Sequence, residues 1–543
     1  MHEGQIVDIH ERRIFPGQIT VESGKVVAIR ELESVESPGF LLPGFVDAHV
    51  HVESSMLPPC EFGRIAARHG TVGTVSDPHE IANVLGVAGV EFMIENAARS
   101  PIKTMFGAPS CVPATGFESA GAALDASAVA DLLARPEIGY LSEVMNYPGV
   151  LNHDSEVMRK VESAKAIGKP IDGHAPGLRG SDAVRYAAAG IKTDHECFSL
   201  EEALDKIHAG MMIAIREGSA ARNYESLKPL LKSHPSCCML CTDDMHPNAL
   251  VEGHINRLVA RAVADGANVF DVLRCASLLP VEHYRMPVGL LRVGEPADFI
   301  RVANLIDFRV LETWIDGQLV AENGRSLIAY SESENPNQFS AQPVKLEDLC
   351  VSASPGIRSI RVIDAYDGQL ITGIAQESLP AHDGALHASI EKDLLKIVVV
   401  NRYRPAPVAV AFVRGFGLKR GAIASTVAHD SHNIIAVGAD DESLMHAINT
   451  VIRSRGGLCA HADEQAHAQL PLEIAGLMSS QDGDSIAANY EVVASLAREL
   501  GSPLRDPFMT LSFMALLVIP DLKLSDLGLF SGGTFEFVPL FVE

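Results

Sequence analysis

In the first half of the chain, short apolar runs alternate with stretches whose apolar residues recur every three or four positions. The second pattern is typical of amphipathic helices, and several of these stretches end in a glycine, a common helix terminator. The runs are apolar at nearly every position, as parallel strands covered on both faces are. We predict eight strands, at 44–52, 71–76, 103–108, 139–144, 170–174, 191–195, 211–216 and 238–243.

Eight strand–helix units over about 200–240 residues are typical of a (β/α)8 barrel. An open, doubly wound sheet is the alternative, because the number of strands alone does not establish closure. We predict an α/β protein whose barrel, residues 43–283, carries the catalytic site.

The segments on either side of the predicted barrel share a different pattern. Near the N-terminus, GQITVESGKVVAIRE places Ser23 and Gly24 at a predicted hairpin turn, and a similar stretch after the barrel contains Asp316 and Gly317. We expect residues 1–42 and 284–350 to form one small β-sandwich domain from both sides of the barrel.

The pattern changes again near residue 351. Two strand-like runs precede DDESLMHAINTVIRSRGG, a helix pattern that begins with acidic residues and ends in two glycines. Residues 351–543 are therefore predicted to form a C-terminal α+β domain. Its late apolar run, LSFMALLVIP from Leu511, has about half the length that a membrane span needs.

Composition narrows the class of protein. The chain has 543 residues, of which 47% are hydrophobic, as expected of a folded multidomain protein. Its formal net charge of −25 disfavours binding to nucleic acids or anionic membranes. Nine scattered cysteines and an N-terminus without an apolar signal-peptide core lead us to expect a cytoplasmic protein.

Chemistry is concentrated at the predicted strand ends. His49 and His51 share one face of the first strand, because side chains alternate across a strand. Such a pair alone would be structural as readily as functional. Other predicted strands end, however, in residues of the types that bind metals, namely Glu143, His174, His195, Asp243 and Asp244. Since barrel active sites lie at the carboxyl ends of the strands, we predict that these side chains form a metal site.

This arrangement resembles the amidohydrolase superfamily over residues 44–287. Within that superfamily, the motifs DAHVHVESS, SDPHEIANVLG, TDDMHP and AHDSHNIIAVGADD resemble the bacterial type of adenine deaminase, and this resemblance extends over the whole chain. It implies hydrolytic deamination of free adenine to hypoxanthine and ammonia, in purine salvage, by a hydroxide held between two metal ions.

The resemblance also implies a ligand set, with His49, His51 and Asp243 on one metal ion and His174 and His195 on the other. Many two-metal relatives bridge the ions with a carboxylated lysine on the fourth strand, but no lysine lies in GYLSEVMNYPG. Glu143 is therefore the predicted bridge. Imidazole and carboxylate donors suit Mn²⁺, Fe²⁺ and Zn²⁺, and the resemblance implies Mn²⁺ or Fe²⁺.

Three residues are predicted to act in catalysis. Asp243 would shuttle a proton from the attacking water to the departing amine. Asp244 would accept a hydrogen bond from the purine ring, or would be a solvated loop acid. His79 follows the second strand and would be a substrate-binding or acid–base group, although the start of a helix explains its position equally simply.

Other polar residues carry weaker predictions. Glu217 and Ser219 follow the seventh strand and would contact substrate, with capping of the next helix as the alternative. Glu53 would hydrogen-bond to a metal ligand. In the C-terminal domain, His429, Asp430 and His432 would form a hydrogen-bonded turn or, alternatively, would cover the mouth of the barrel.

Two other functions fit the same scaffold. The protein could hydrolyse a cyclic amide, as hydantoinases and dihydroorotases do, or deaminate another nucleobase. A barrel without catalytic activity is disfavoured, because all six ligand positions carry competent side chains. We expect adenine as the small-molecule partner, neither nucleic acid nor membrane, and a homodimer.

Overall fold

The computed structural model describes residues 1–36, 39–219, 221–463 and 465–542. Four strands precede the barrel: β1 (His2–Asp8), β2 (Arg13–Glu22), β3 (Lys25–Glu31) and β4 (Phe40–Pro43). The barrel strands are β5 (Phe45–Val50), β6 (Thr71–Ser76), β7 (Lys103–Ala108), β8 (Ile138–Val144), β9 (Ile171–Gly173), β10 (Thr193–Asp194), β11 (Met212–Arg216) and β12 (Cys238–Cys241). All eight overlap the strands predicted from the apolar runs.

The parallel sheet curls until its last strand meets its first. Strands β5 to β9 are hydrogen-bonded in sequence order, and so are β10 to β12. A parallel bridge joins Val50 to Asp243, and the Asp243 amide donates to the His49 carbonyl at 2.9 Å. This order and this bridge contradict the open-sheet alternative.

Helices separate the strands, as the 3.6-residue pattern predicts. Several begin at a side chain that accepts from their first free amides; Asp154, for example, accepts from Glu156 and Val157 at the start of α6. The helices are α1 (Pro59–Ala66), α2 (His79–Leu85), α3 (Val87–Ala97), α4 (Ala126–Leu133), α5 (Tyr147–Leu151), α6 (Ser155–Ala166), α7 (Gly180–Ala188), α8 (Leu200–His208), α9 (Tyr224–Leu227), α10 (Leu230–Ser233), α11 (Pro247–Glu252), α12 (Ile255–Ala264), α13 (Val269–Leu273) and α14 (Leu279–Tyr284).

Strands from both sides of the barrel share one sheet. The strands after the barrel are β13 (Phe299–Val302), β14 (Val310–Ile315), β15 (Gln318–Glu322) and β16 (Arg325–Ser326). The strand order is β16-β15-β14-β13-β4-β1-β2-β3, so that β13 and β4 join the two chain segments. Both predicted hairpin turns form, and Asp316 and Gly317 have φ of 46° and 72°, as a type I′ turn requires.

The C-terminal region contains a second eight-stranded sheet, in the order β19-β18-β22-β21-β24-β23-β25-β26. Its strands and those near it are β17 (Val351–Ser352), β18 (Gly356–Asp364), β19 (Gly373–Ala381), β20 (Ala385–Leu386), β21 (Leu395–Val400), β22 (Ala409–Arg414), β23 (Ala422–Ser425), β24 (Ile434–Gly438), β25 (Gly457–His461), β26 (His467–Pro471), β27 (Leu522–Ser525), β28 (Gly528–Ser531) and β29 (Glu536–Phe537). The helices are α15 (Asp441–Arg453), α16 (Gly483–Glu499) and α17 (Pro507–Ser512).

The C-terminal region packs on the barrel through apolar residues. Ile65 of α1 and Ile486 of α16 are fully buried and belong to one hydrophobic cluster. The packing brings α17 and the loop before β24 over the carboxyl ends of the barrel strands. No helix in the described part of the chain has the length and apolar character to cross a membrane.

Candidate metal centre

The two histidines of the first barrel strand meet the aspartate that follows the last one. Nε2 of His49 lies 3.2 Å from Nε2 of His51, and Oδ1 of Asp243 lies 3.5 Å and 3.3 Å from these two nitrogens. All three side chains are buried. The contact arises because alternate residues of β5 share a face and the Val50–Asp243 bridge closes the barrel beside them.

Glu143, near the end of β8, lies between two sets of imidazoles. Its Oε2 is 2.8 Å from Nδ1 of His174 and 3.0 Å from Nε2 of His195. Its Oε1 faces the opposite way and is 3.6 Å from Nε2 of His51. The six predicted metal ligands are therefore together in one buried site, and one carboxylate has an oxygen for each side.

The chemistry of these donors fits divalent cations. Buried polar atoms normally have hydrogen-bond partners, but Nε2 of His174 has none among the residues that the structure describes, and His49 and His51 direct ring nitrogens at each other. Nδ1 of His51 faces the carbonyl of Asp77 at 3.2 Å, which leaves its Nε2 free to donate a lone pair. Imidazole and carboxylate donors at these separations suit Mn²⁺, Fe²⁺ or Zn²⁺.

Both central carboxylates are held ionised. Burial alone would raise their pKa values, yet the imidazoles of His174 and His195 lower the pKa of Glu143 well below its ordinary range. The pKa of Asp243 is also well below its ordinary range, because the Arg216 guanidinium and the hydrogen bonds from His49 and His51 outweigh burial. Each carboxylate can therefore accept a proton or bind a cation.

Arg216 and Glu196 are site residues that the sequence patterns did not reveal. Arg216 ends β11, and its side chain donates to Oδ2 of Asp243 at 2.7 Å and makes a two-point contact with Glu196. Both are buried. Glu196 also lines the cavity that is bordered by the predicted metal ligands His51, Glu143, His174, His195 and Asp243, which we call the central cavity. The sequence did contain an indication of both residues. Glu196 directly follows the predicted ligand His195, and Arg216 stands at the carboxyl end of a barrel strand, which is the end that carries the active site.

His79 lies inside the site and also begins helix α2. Its Nδ1 is 3.3 Å from Oε1 of Glu143 and 3.1 Å from Oδ2 of Asp77. His79 therefore occupies the start of a helix and the lining of the cavity at once, and its catalytic role stays a prediction.

Glu53 does not make the predicted hydrogen bond to a metal ligand. Its Oε1 accepts from the Ile81 amide at 3.2 Å, and its Oε2 has no partner among the described residues. Its position two residues beyond His51 suggested the contact, but the chain turns into a 3₁₀ helix at Val52 and redirects the side chain.

Asp244 is buried, and the interpretation as a solvated loop acid is wrong. Its Oδ1 accepts from Oγ of Ser54 at 2.5 Å, and its carboxylate groups with Glu80 and His429. Burial and the neighbouring Asp243 raise its pKa. Asp244 also lines the central cavity, where it is placed to accept a hydrogen bond from a bound molecule.

Glu217 and Ser219 are not among the side chains that line the central cavity. Glu217 makes an ion pair with Arg261 at 2.9 Å, on the far side of the loop after β11. Oγ of Ser219 accepts from the His246 amide at 2.9 Å. The capping alternative for Ser219 is wrong, since the next helix begins at Tyr224; the substrate contact stays a prediction.

The C-terminal region supplies the outer side of the cavity. Nδ1 of His429 donates to Oε1 of Glu80 at 2.5 Å, and Nε2 of His432 donates to its Oε2. Glu80 belongs to α2 of the barrel, so this His–Glu–His contact connects two domains. His429 and Asp430 line the cavity together with Leu370, Phe513 and Leu516, which favours the mouth-covering interpretation over a merely satisfied turn.

Comparison with known proteins agrees with this arrangement. The model of the amidohydrolase family matches residues 40–320, and that of the adenine deaminase C-terminal domain matches residues 369–536. An adenine deaminase of Salinibacter ruber is 55% identical to the chain, covering 99% of this chain and 98% of the relative. One of Methanosarcina mazei is 51% identical, covering 99% of each.

Among solved structures, the dihydropyrimidinase of Brevibacillus agri is 14% identical and covers 60% of this chain and 95% of that one, with a TM-score of 0.47. The family matches and the relatives of nearly equal length show that the chain belongs to the adenine deaminases of the amidohydrolase family.

Proposed function

We propose that the protein hydrolyses free adenine to hypoxanthine and ammonia. The single observation that carries the chemistry is the position of Glu143, which directs one oxygen at His51 and the other at His174 and His195. The substrate is inferred from the relatives, which are named adenine deaminases and match nearly from end to end.

In this proposal His49, His51 and Asp243 would hold one divalent ion, His174 and His195 would hold a second, and Glu143 would offer one carboxylate oxygen to each. We propose Mn²⁺ or Fe²⁺ as the ions, with Zn²⁺ as a further candidate for the same donors. When bound, such ions acidify a water molecule and stabilise negative charge.

Asp243 is the proposed proton shuttle. Arg216 binds its Oδ2 and leaves Oδ1 on the side of His49 and His51. Held ionised there, Asp243 takes a proton from the water that attacks C6 of the ring and later gives one to the departing amino group, which leaves as ammonia.

His79 and Asp244 are proposed to act on the purine ring. His79 borders Glu143 and provides an imidazole for protonation of N1 as the tetrahedral carbon forms. Asp244 accepts from a ring N–H. Glu217 and Ser219 are not among the residues that line the central cavity, so their predicted substrate contact is not part of the proposed mechanism.

The remaining proposals concern organisation. We propose three domains: a β-sandwich from residues 1–42 and 284–350, a catalytic barrel from 43–283 and a C-terminal α+β domain from 351–543. A homodimer in the cytoplasm completes the proposal. Neither nucleic acid nor a membrane is a proposed partner.

An ammonia-release assay tests the function. Protein reconstituted with Mn²⁺ or Fe²⁺ is offered adenine, adenosine, guanine and cytosine, and ring opening of hydantoin and dihydroorotate is followed in parallel. We expect ammonia and hypoxanthine from adenine alone. Ring opening without ammonia release would identify a cyclic-amide hydrolase instead.

A further inference from the structure

The cavity at the metal centre is smaller than the proposed substrate. Its volume is about 30 Å³, which is enough for two or three water molecules at about 10–15 Å³ each. A purine has two fused rings and needs several times that space. At least one wall of the cavity must therefore move before adenine can enter.

The barrel wall is the costlier one to move. Its imidazoles and carboxylates lie on or directly after strands of the parallel sheet. The apolar side chains of the outer wall belong instead to a small cluster of Ala221, Leu370, Met509, Phe513, Leu516 and Ile519. Leu511, Met514 and Ala515, which lie in the same stretch of chain, pack in the main core and anchor it there. Small satellite clusters of this kind open at a lower free energy than a main core.

Most of this cluster comes from residues 509–519, which we call the lid segment. It contains the apolar run LSFMALLVIP, whose length falls short of a membrane span. Nζ of Lys523 donates to the carbonyls of Phe513 at 2.9 Å and of Leu370 at 2.6 Å. Lys523 therefore couples the lid segment to the neighbouring wall residue Leu370.

The inner side of the lid segment suits a planar base. The Phe513 ring stacks on His429, with 4.7 Å between the centroids and 15° between the planes, and both rings line the cavity. Glu80 binds Nδ1 of His429, while Nε2 of the same ring is buried and has no partner in the described part of the chain. The wall thus offers an aromatic surface and one free ring nitrogen.

We propose that the cavity-facing side of residues 509–519, at Phe513 and Leu516, is a lid that opens to admit the purine, and that Phe513 and His429 bind its ring when the lid closes. Phe513 supplies stacking and His429 supplies a hydrogen bond to a ring nitrogen. The proposal rests on the proposed function, because it takes adenine as the substrate.

Kinetics of Phe513 variants test the stacking. With Mn²⁺-loaded enzyme, Phe513→Ala raises KM for adenine about tenfold, within the range seen when alanine removes base–aromatic stacking, and changes kcat by less than about twofold. Phe513→Leu keeps the apolar volume and serves if the alanine variant does not fold. KM values within about twofold of the wild type in both variants would overturn the stacking role.

Phe508 provides the matched control. It lies on α17, which ends immediately before Phe513, and is 2% exposed, but it packs in the main core near Tyr490 and does not line the cavity. Phe508→Leu should lower the unfolding temperature without changing KM. A KM increase equal to that of Phe513→Leu would show that both act through stability alone.

Hydrogen exchange tests the lid without relying on turnover. Mass spectrometry follows amide exchange in residues 509–519 of wild-type, Mn²⁺-loaded enzyme with and without hypoxanthine, the product. Exchange at least about threefold slower with hypoxanthine supports closure over the ring. Unchanged amide exchange would overturn the lid. If the wild-type enzyme released no ammonia from adenine, the proposed function itself would be wrong.

Discussion

The two walls of the central cavity are built in different ways. The inner wall consists of imidazoles and carboxylates on or just after barrel strands. The outer wall comes from the C-terminal region and combines the apolar residues Leu370, Phe513 and Leu516 with His429 and Asp430. Metal chemistry needs distances fixed to a few tenths of an ångström, which a hydrogen-bonded strand ladder provides. Admission of substrate needs a wall that can move, which a small apolar cluster provides. The molecule divides the two tasks between two domains.

The largest expected effect comes from removing the charge of the inner wall. Glu143→Gln keeps the shape of the side chain but cannot contact two cations as a carboxylate does. We expect metal content to fall below two ions per chain and ammonia release from adenine to fall by about 10³-fold or more, on the order of 4 kcal/mol. Elemental analysis and the ammonia assay measure both.

Glu137→Gln is the control for this substitution, because Glu137 is 46% exposed and forms only a surface pair with Arg135. It should leave metal content and rate unchanged. If Glu143→Gln kept two metal ions and the wild-type rate, the rigid inner wall would not be a metal centre.

A smaller effect is expected for the arginine that supports the inner wall. Arg216→Met leaves the carboxylates of Glu196 and Asp243 buried beside each other without their cation. Breaking such a buried network costs about 3–5 kcal/mol in the free energy of unfolding. Urea unfolding of the metal-free protein measures the loss.

Arg257→Met is the matched variant, since Arg257 is 59% exposed and pairs with Glu252 at the surface. Its free energy of unfolding should change by less than about 1 kcal/mol. Equal losses in the two arginine variants would contradict the supporting role of Arg216.

The contribution of the Glu80–His429 contact to the free energy of unfolding should depend on pH. Burial disfavours the charged form of His429, but Glu80 and Asp244 outweigh it and raise its pKa from 6.5 to about 9. Because the pKa of His429 is higher in the folded protein than in the unfolded chain, its charged form stabilises the fold fully below pH 6.5, and this contribution is lost as the pH rises towards 9. Glu80→Gln removes the charged partner and should cost about 2 kcal/mol at pH 6, with a smaller cost at pH 9.

Thermal unfolding of both proteins from pH 6 to 9.5 measures this difference. Glu442→Gln, at an exposed position of α15, is the control and should show the pH dependence of the wild type. A difference between Glu80→Gln and the wild type that did not change with pH would show that His429 carries no charge in the contact.

The smallest effect is expected outside both walls. Glu217→Ala and Ser219→Ala alter side chains that do not line the cavity, so KM for adenine should change by less than about twofold. Losing the partly exposed pair of Glu217 and Arg261 should cost less than about 1 kcal/mol. A tenfold rise in KM would instead support the predicted substrate contact.

The residues of the inner wall could be predicted from the sequence because their positions follow from the geometry of individual strands. His49 and His51 share a face through the two-residue period of a strand, and parallel strands bring Glu143, His174 and His195 to the same end. Arg216 was missed for the opposite reason. Its function depends on Glu196 and Asp243 lying on either side of it, which no spacing in the chain expresses.

The sequence by itself therefore determined the barrel strands and the side chains that gather at their ends, because strand periodicity and parallel alignment act on each short segment separately. Tertiary structure alone decided that Glu80 meets His429 and His432 about 350 residues later, and that the apolar run after Leu511 covers the barrel mouth. Both follow from how one domain packs on another. That packing depends on the complementary shape of two complete surfaces, which no short pattern along the chain contains.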